Sequence, residues 1–244
     1  METKTLIECR ELKKSYGRKE PLRGVNLELG SGRIIGLLGP NGSGKTTLIK
    51  LMSGLLQPTS GEVRIGGFVP GVETKAMVSY LPDRMFYANW MKTIDLIDLF
   101  ADFYADFRRD RAEAMCSALG IGERAAIKSM SKGTQEKLQL ILVMSRDAKL
   151  YLLDEPIAGV DPAARDFILQ TILTNYSPES TILLSTHLIA DIEPVLDEAI
   201  FLRGGLVVRH DSVDHIREVE GKSVDEVFRE IFRTIPYGGM WHAE

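Results

Sequence analysis

Two cysteines are all this 244-residue chain has, and Cys9 and Cys116 are too few and too scattered for a disulfide framework. Reduced thiols in a cytosolic protein are the expectation. Histidine is scarce too, and His187, His210, His215 and His242 lack metal-ligand spacing with those cysteines. No excess of positive charge is present. A net charge of −4 and a pI near 5.7 argue against a nucleic-acid binder held by phosphate contacts. The cluster Arg108-Arg109-Asp110-Arg111 is mixed in sign and reads as a solvated helix face. No apolar run approaches membrane-spanning length, and the opening Met1-Glu2-Thr3-Lys4-Thr5 does not read as a signal peptide. Any role at a membrane is therefore expected to be peripheral. Repeats and low-complexity tracts are missing as well, and the length suits one domain with room for a subdomain.

What the chain does have is Gly39-Pro40-Asn41-Gly42-Ser43-Gly44-Lys45-Thr46, with Thr47 behind it. A pattern G-x-x-x-x-G-K-[ST] arises by chance in roughly one chain per hundred of this length, so its surroundings decide. Arg33 to Leu38 reads as a short buried strand, and Leu48 to Met52 as a helix ending near Gly54. Strand, glycine-rich turn and helix make a phosphate-binding loop. Glycines let backbone N–H groups converge on an anion, and the helix start adds unpaired donors and the positive end of a dipole. Lys45 is expected to reach the β- and γ-phosphates and Thr46 to take one place on Mg²⁺. The sequence predicts that the chain binds a nucleoside triphosphate; a surface glycine loop is the competing reading.

Along the chain, residues 5–10 alternate like an edge strand, Lys13 to Gly17 reads as a turn, and Leu22 to Leu29 alternates again. These strands are expected to form an antiparallel layer beside the loop. Glu62 to Ile65 and Lys75 to Leu81 read as strands, the second stopped by Pro82. Thr93 to Phe107, Arg109 to Leu119 and Lys132 to Met144 read as helices, so residues 84–146 are expected to be an all-helical insertion. Its aromatic group of Phe86, Tyr87 and Trp90 is either plain core or a docking surface for a partner. Lys149 to Leu153 and Thr181 to Ser185 return to buried strands. Ala199 to Leu202 and Leu206 to Val208 form a hairpin, and Val224 to Phe232 a helix before a loose tail. The predicted fold class is α/β, a P-loop NTPase core with a mostly parallel sheet, an antiparallel flank and the helical insertion; residues 205–244 make a C-terminal hairpin, helix and tail.

Leu150 to Leu153 delivers Asp154-Glu155 to the end of a buried strand, the edge of a parallel sheet where ligands bind. Asp154 is expected to hold Mg²⁺ and Glu155 to polarise the attacking water. Alone, Asp154 also reads as a helix cap. With these residues in order, the chain resembles the ATP-binding subunits of ABC transporters from about residue 4 to at least residue 210. Tyr16 looks like the family's adenine-stacking aromatic, Gly39 to Thr46 its Walker A loop, and Leu150 to Glu155 its Walker B strand. Ala158-Gly159-Val160-Asp161 looks like its D-loop, with Asp161 at a dimer interface, and His187 like its switch histidine. Alone, His187 reads more readily as a structural histidine.

Two departures stand out. The signature segment, usually Leu-Ser-Gly-Gly-Gln, is Met130-Ser131-Lys132-Gly133-Thr134, which keeps the serine and second glycine that the family uses on the γ-phosphate of the other subunit's ATP. Lys132 adds a cation. Forms of this kind occur in exporter subunits. Asp83 replaces the family's common glutamine; a carboxylate still ligates Mg²⁺, although Asp83 also reads as a helix cap. The resemblance implies an ATPase bound to ATP and Mg²⁺ in a head-to-tail dimer with itself or a related subunit. It also implies an integral membrane partner docking near residues 83–107, no nucleic acid, and a cytoplasmic place on the inner face of the cell membrane. A soluble ABC-type ATPase acting as a mechanical clamp is the alternative.

Overall fold

The computed structural model describes residues 5–83, 87–157, 162–175 and 177–233. In chain order the elements are β1 (Thr5–Tyr16), β2 (Lys19–Gly30), β3 (Ile34–Leu38), α1 (Lys45–Met52), β4 (Ser60–Ile65), α2 (Val72–Lys75) and β5 (Val78–Leu81). There follow α3 (Thr93–Phe103), α4 (Arg109–Ala118), α5 (Lys132–Met144), β6 (Leu150–Asp154), α6 (Pro162–Asn175) and β7 (Thr181–Thr186). The chain closes with α7 (Ile189–Ile192), β8 (Glu198–Arg203), β9 (Leu206–Ser212), α8 (Val213–Glu218) and α9 (Val224–Phe232).

Two sheets result. The larger has the order β5-β6-β7-β3-β8-β9, parallel except for β9, which pairs antiparallel with β8. Every residue of β3, β6 and β7 is buried, as expected of strands covered on both faces and centred on Ile and Leu, with polar residues only at the ends of β6 and β7. Each fully buried Leu or Ile contributes about 1.5–3 kcal/mol to this layer. The smaller sheet is antiparallel, in the order β2-β1-β4. Here β1 is the middle strand, not an edge: its alternation reports which face is covered, while both flanks are paired. Nor does it end at residue 10 ahead of a turn from Lys13; it bulges near Glu11 (φ 45°) and continues to Tyr16.

Two other boundaries differ from expectation. Lys75 closes the one-turn α2, whose Thr74 hydroxyl bonds Gly71, so the strand begins only at Val78. The helix from Thr93 stops at Phe103. Tyr104 and Phe107 are not on it but fold back onto Phe100, with ring centroids 5.5 and 5.6 Å away. Their spacing reflects a shared packing partner more than a continuous helix.

Between β5 and β6 the helices α3, α4 and α5 enclose a core of their own around Leu96, Phe100, Cys116, Leu138 and Ile141. Helix α5 also turns Leu140, Val143 and Met144 into the core under the large sheet. Just beyond it, Arg146 is 2% exposed and forks onto Asp106 at 2.9 and 3.0 Å. It also donates to the carbonyls of Val78, Lys75 and Ala76 and lies 3.8 Å from the Tyr104 ring centroid. Both cysteines are free and buried, and burial pushes the Cys9 thiol up to about 12 and the Cys116 thiol to about 11.

Candidate nucleotide site

The site lies at the carboxyl edge of the large sheet, where β3, β6 and β7 end side by side. Beyond β3 the loop 39–44 makes its turn with Gly42 at φ 82° and Gly44 at φ 112°. A Cβ at Gly44 would lie 2.4 Å from the Pro21 carbonyl oxygen, so no other residue fits unstrained. Gly44 heads α1 without any side-chain cap, and no acidic residue stands in the first turn. The helix therefore presents its unpaired N–H groups and dipole to the loop's hollow.

Lys45, only 6% exposed, lays its Nζ on the Gly39 carbonyl (2.7 Å) and 3.3 Å from Glu155 Oε1. The Thr46 hydroxyl donates to Asp154 Oδ1 at 3.1 Å, and the Ser185 hydroxyl to the same oxygen at 2.7 Å. The other carboxylate oxygen, Oδ2, is buried and has no partner. Burial raises the Asp154 pKa above its ordinary value; the Ser185 and Thr46 bonds oppose the rise, while the charges of Asp83 and Glu155 add to it. Glu155 stands in a left-handed conformation, φ 51°, with its N–H on the Ser185 carbonyl and hydroxyl oxygens. Its Oε2 meets His187 Nδ1 at 2.9 Å. No helix begins in residues 155–157, so the Asp154 carboxylate caps none there; its contacts are to Thr46 and Ser185.

These groups share one cleft of about 750 Å³, whose lining includes residues 41–47, Asp83, Lys132, Asp154, Glu155 and His187, and also Gln135, Glu136 and Gln139 of α5. Gly39 and Pro40 underlie it through their carbonyls, both facing Lys45 Nζ. Tyr16 does not line it. Its ring is half exposed at the end of β1, with Lys14 Nζ 5.0 Å from the centroid. Ser131 and Gly133 do not line it either. The Ser131 hydroxyl caps α5 by accepting from Thr134 N at 3.1 Å, and a Cβ at Gly133 would meet open space. Asp161, with residues 158–160, lies outside the described residues, as does Phe86. Of the other two aromatics, Tyr87 packs edge-on to Phe100, whereas Trp90 is 72% exposed.

Sequence reasoning missed Ser185. Its signal was a hydroxyl directly after the apolar run Ile182-Leu183-Leu184, two residues before His187, but only the β6–β7 register puts it opposite Asp154. The hydroxyls of Ser43, in the loop itself, and of Tyr80 are further buried groups without a partner near this site, and burial raises the Tyr80 pKa, with Asp154 and Asp83 adding to the effect.

A glycine loop between a central parallel strand and a helix, facing a hydroxyl-bound Asp and a following Glu, defines a P-loop nucleoside triphosphatase. The ABC transporter family profile matches residues 22–158, more than half of the chain. The chain belongs to that family and is one of its ATP-binding cassettes, with the fold of the ABC ATPases. An ABC transporter ATP-binding protein of Synechocystis is 28% identical over 235 residues, covering 90% of this chain and 66% of that protein. The linearmycin resistance ATP-binding protein of Bacillus subtilis is 28% identical over 79% of this chain and 64% of its own length. The chain thus spans about two thirds of these curated relatives. A solved ATP-binding subunit of an ABC transporter superposes with a TM-score of 0.83 at 28% identity, covering 93% of this chain and 99% of that one.

Proposed function

We propose that the chain is the ATP-hydrolysing subunit of an ABC transporter, working as a head-to-tail dimer and driving a separate membrane-spanning partner in export. The observation that carries this reading is the convergence of Lys45, Thr46, Asp154, Glu155 and His187 on one cleft, with Asp154 Oδ2 buried and unpartnered. Thr46 and Asp154 would hold Mg²⁺, with Asp83 as a further carboxylate: all are hard oxygen donors, and the orphaned Oδ2 fits a cation. Bound there, the ion supplies neutralising charge to the β- and γ-phosphates.

The chain's own groups do the rest. Backbone N–H groups of residues 41–46 cradle the phosphates, and Lys45 exchanges the Glu155 carboxylate for phosphate oxygens. Glu155 orients the attacking water and takes its proton, while His187 holds that carboxylate from the other side at 2.9 Å. The half-exposed Tyr16 ring offers a face for adenine.

Ser131 and Gly133 lie off the cleft of their own chain, which suits completion of the site by a second copy, with Asp161 at the interface. The helical segment 84–146 serves as a subdomain that meets the membrane partner near residues 83–107, where Trp90 and Phe103 are 72% and 75% exposed. No helix among the described residues is long and apolar enough to cross a membrane; the peripheral place on the inner face rests on membership of the ABC transporter family. Export rests on the Ser131-Lys132-Gly133 form and on the resistance role named for the Bacillus relative.

Purified protein given ATP alone should release phosphate, and Glu155→Gln should keep ATP affinity while losing at least about a hundredfold in turnover. Near wild-type turnover in that variant would remove Glu155 from its role.

A further inference from the structure

Ser185 is the penultimate residue of β7 and has no solvent-accessible surface. Its neighbours Leu183 and Leu184 are apolar, and a buried hydroxyl among them is costly unless bonded. It is bonded on both sides. Register sets Ser185 directly opposite Asp154 across the β6–β7 pair. Its Oγ donates to Asp154 Oδ1 at 2.7 Å and accepts from the Glu155 N–H at 3.0 Å. The Ser185 carbonyl oxygen lies 3.1 Å from the same nitrogen.

Two consequences follow for the carboxylates. With Ser185 and Thr46 both on Oδ1, rotation of the Asp154 carboxylate is fixed and Oδ2 is the oxygen left over. The peptide nitrogen of Glu155, whose φ of 51° is seldom held by a non-glycine residue unaided, is tied to the same hydroxyl. One side chain therefore links the orientation of the first carboxylate to the backbone that carries the second.

We propose that Ser185 is a positioning residue of this site, whose hydroxyl aims Asp154 Oδ2 at the magnesium place and holds the Glu155 peptide in its left-handed turn. The inference rests on the reading of Thr46 and Asp154 as the magnesium-holding pair. It is specific to the hydroxyl: alanine leaves the strand intact but frees the Asp154 carboxylate to rotate, whereas threonine keeps the donor.

Calorimetric titration of the full chain with ADP, in excess magnesium and in EDTA, tests it. Wild-type protein should bind more tightly with magnesium. Ser185→Ala should match wild type in EDTA and lose about fivefold of the magnesium-dependent tightening, the worth of one such hydrogen bond. Ser185→Thr should regain most of it. An alanine variant with wild-type tightening would overturn the proposal, and so would one weakened equally with and without magnesium, because general damage to the strand would explain that. A wild-type protein indifferent to magnesium would instead take down the reading of Thr46 and Asp154 on which the proposal rests.

Discussion

Asp154 is an ionisable group in a place that opposes its charge. It is 1% exposed, one oxygen lacks a partner, and Asp83 and Glu155 add like charge nearby. A charged carboxylate so placed is a standing cost to the empty protein. Asp154→Asn keeps Oδ1 as acceptor for both hydroxyls and removes the charge. The variant should gain about 1 kcal/mol in stability, or about 2–4 °C in Tm for a chain of this size. It should also lose all magnesium dependence of ADP binding. Thermal unfolding without nucleotide and an ADP titration check the two halves, and a variant less stable than wild type would contradict the first. Lys45 and Glu155 escape a similar cost by pairing with one another at 3.3 Å.

Among the elements, the joint at Arg146 carries the clearest consequence. Its guanidinium satisfies Asp106, three backbone carbonyls and the face of Tyr104, and so ties the connection between α3 and α4 to the start of β5. Arg146→Leu would strand these acceptors in a buried place. A loss of about 3–5 kcal/mol in urea unfolding is expected, and Arg146→Lys should recover only part of it because a lysine has no fork. Nothing local in Ser145-Arg146-Asp147 signals this, since its partners are as far as Lys75 in the chain. The central strands were legible for the opposite reason: β3, Leu150–Leu153 of β6 and Ile182–Leu184 of β7 are local apolar runs, and both Walker elements follow directly on the first two. Less legible was β1, because alternation reveals a covered face and says nothing of neighbours. Helix α6 went unread although Pro162 opens it and Ile168 and Ile172, one turn apart, are both buried. For Ser185 the decisive fact was strand order, which no local pattern contains.

For the molecule as a whole, the cleft as one chain makes it lacks Ser131 and Gly133, and the helical segment exposes Trp90 and Phe103. Glu155→Gln with ATP should therefore elute at twice the 27.2 kDa of the single chain, and wild type without nucleotide should not. Gentle solubilisation of host membranes should bring down a multi-spanning protein in stoichiometric yield with the tagged chain; recovery of soluble partners alone would favour the mechanical-clamp alternative. Both experiments depend on α5, which starts at Ser131-Lys132-Gly133 and packs into two cores at once. One residue added within it would turn every later side chain by about 100° and withdraw apolar groups from both cores together. The length of this helix is therefore closed to evolutionary drift, and gains or losses of residues belong in the turns at 119–126 ahead of it.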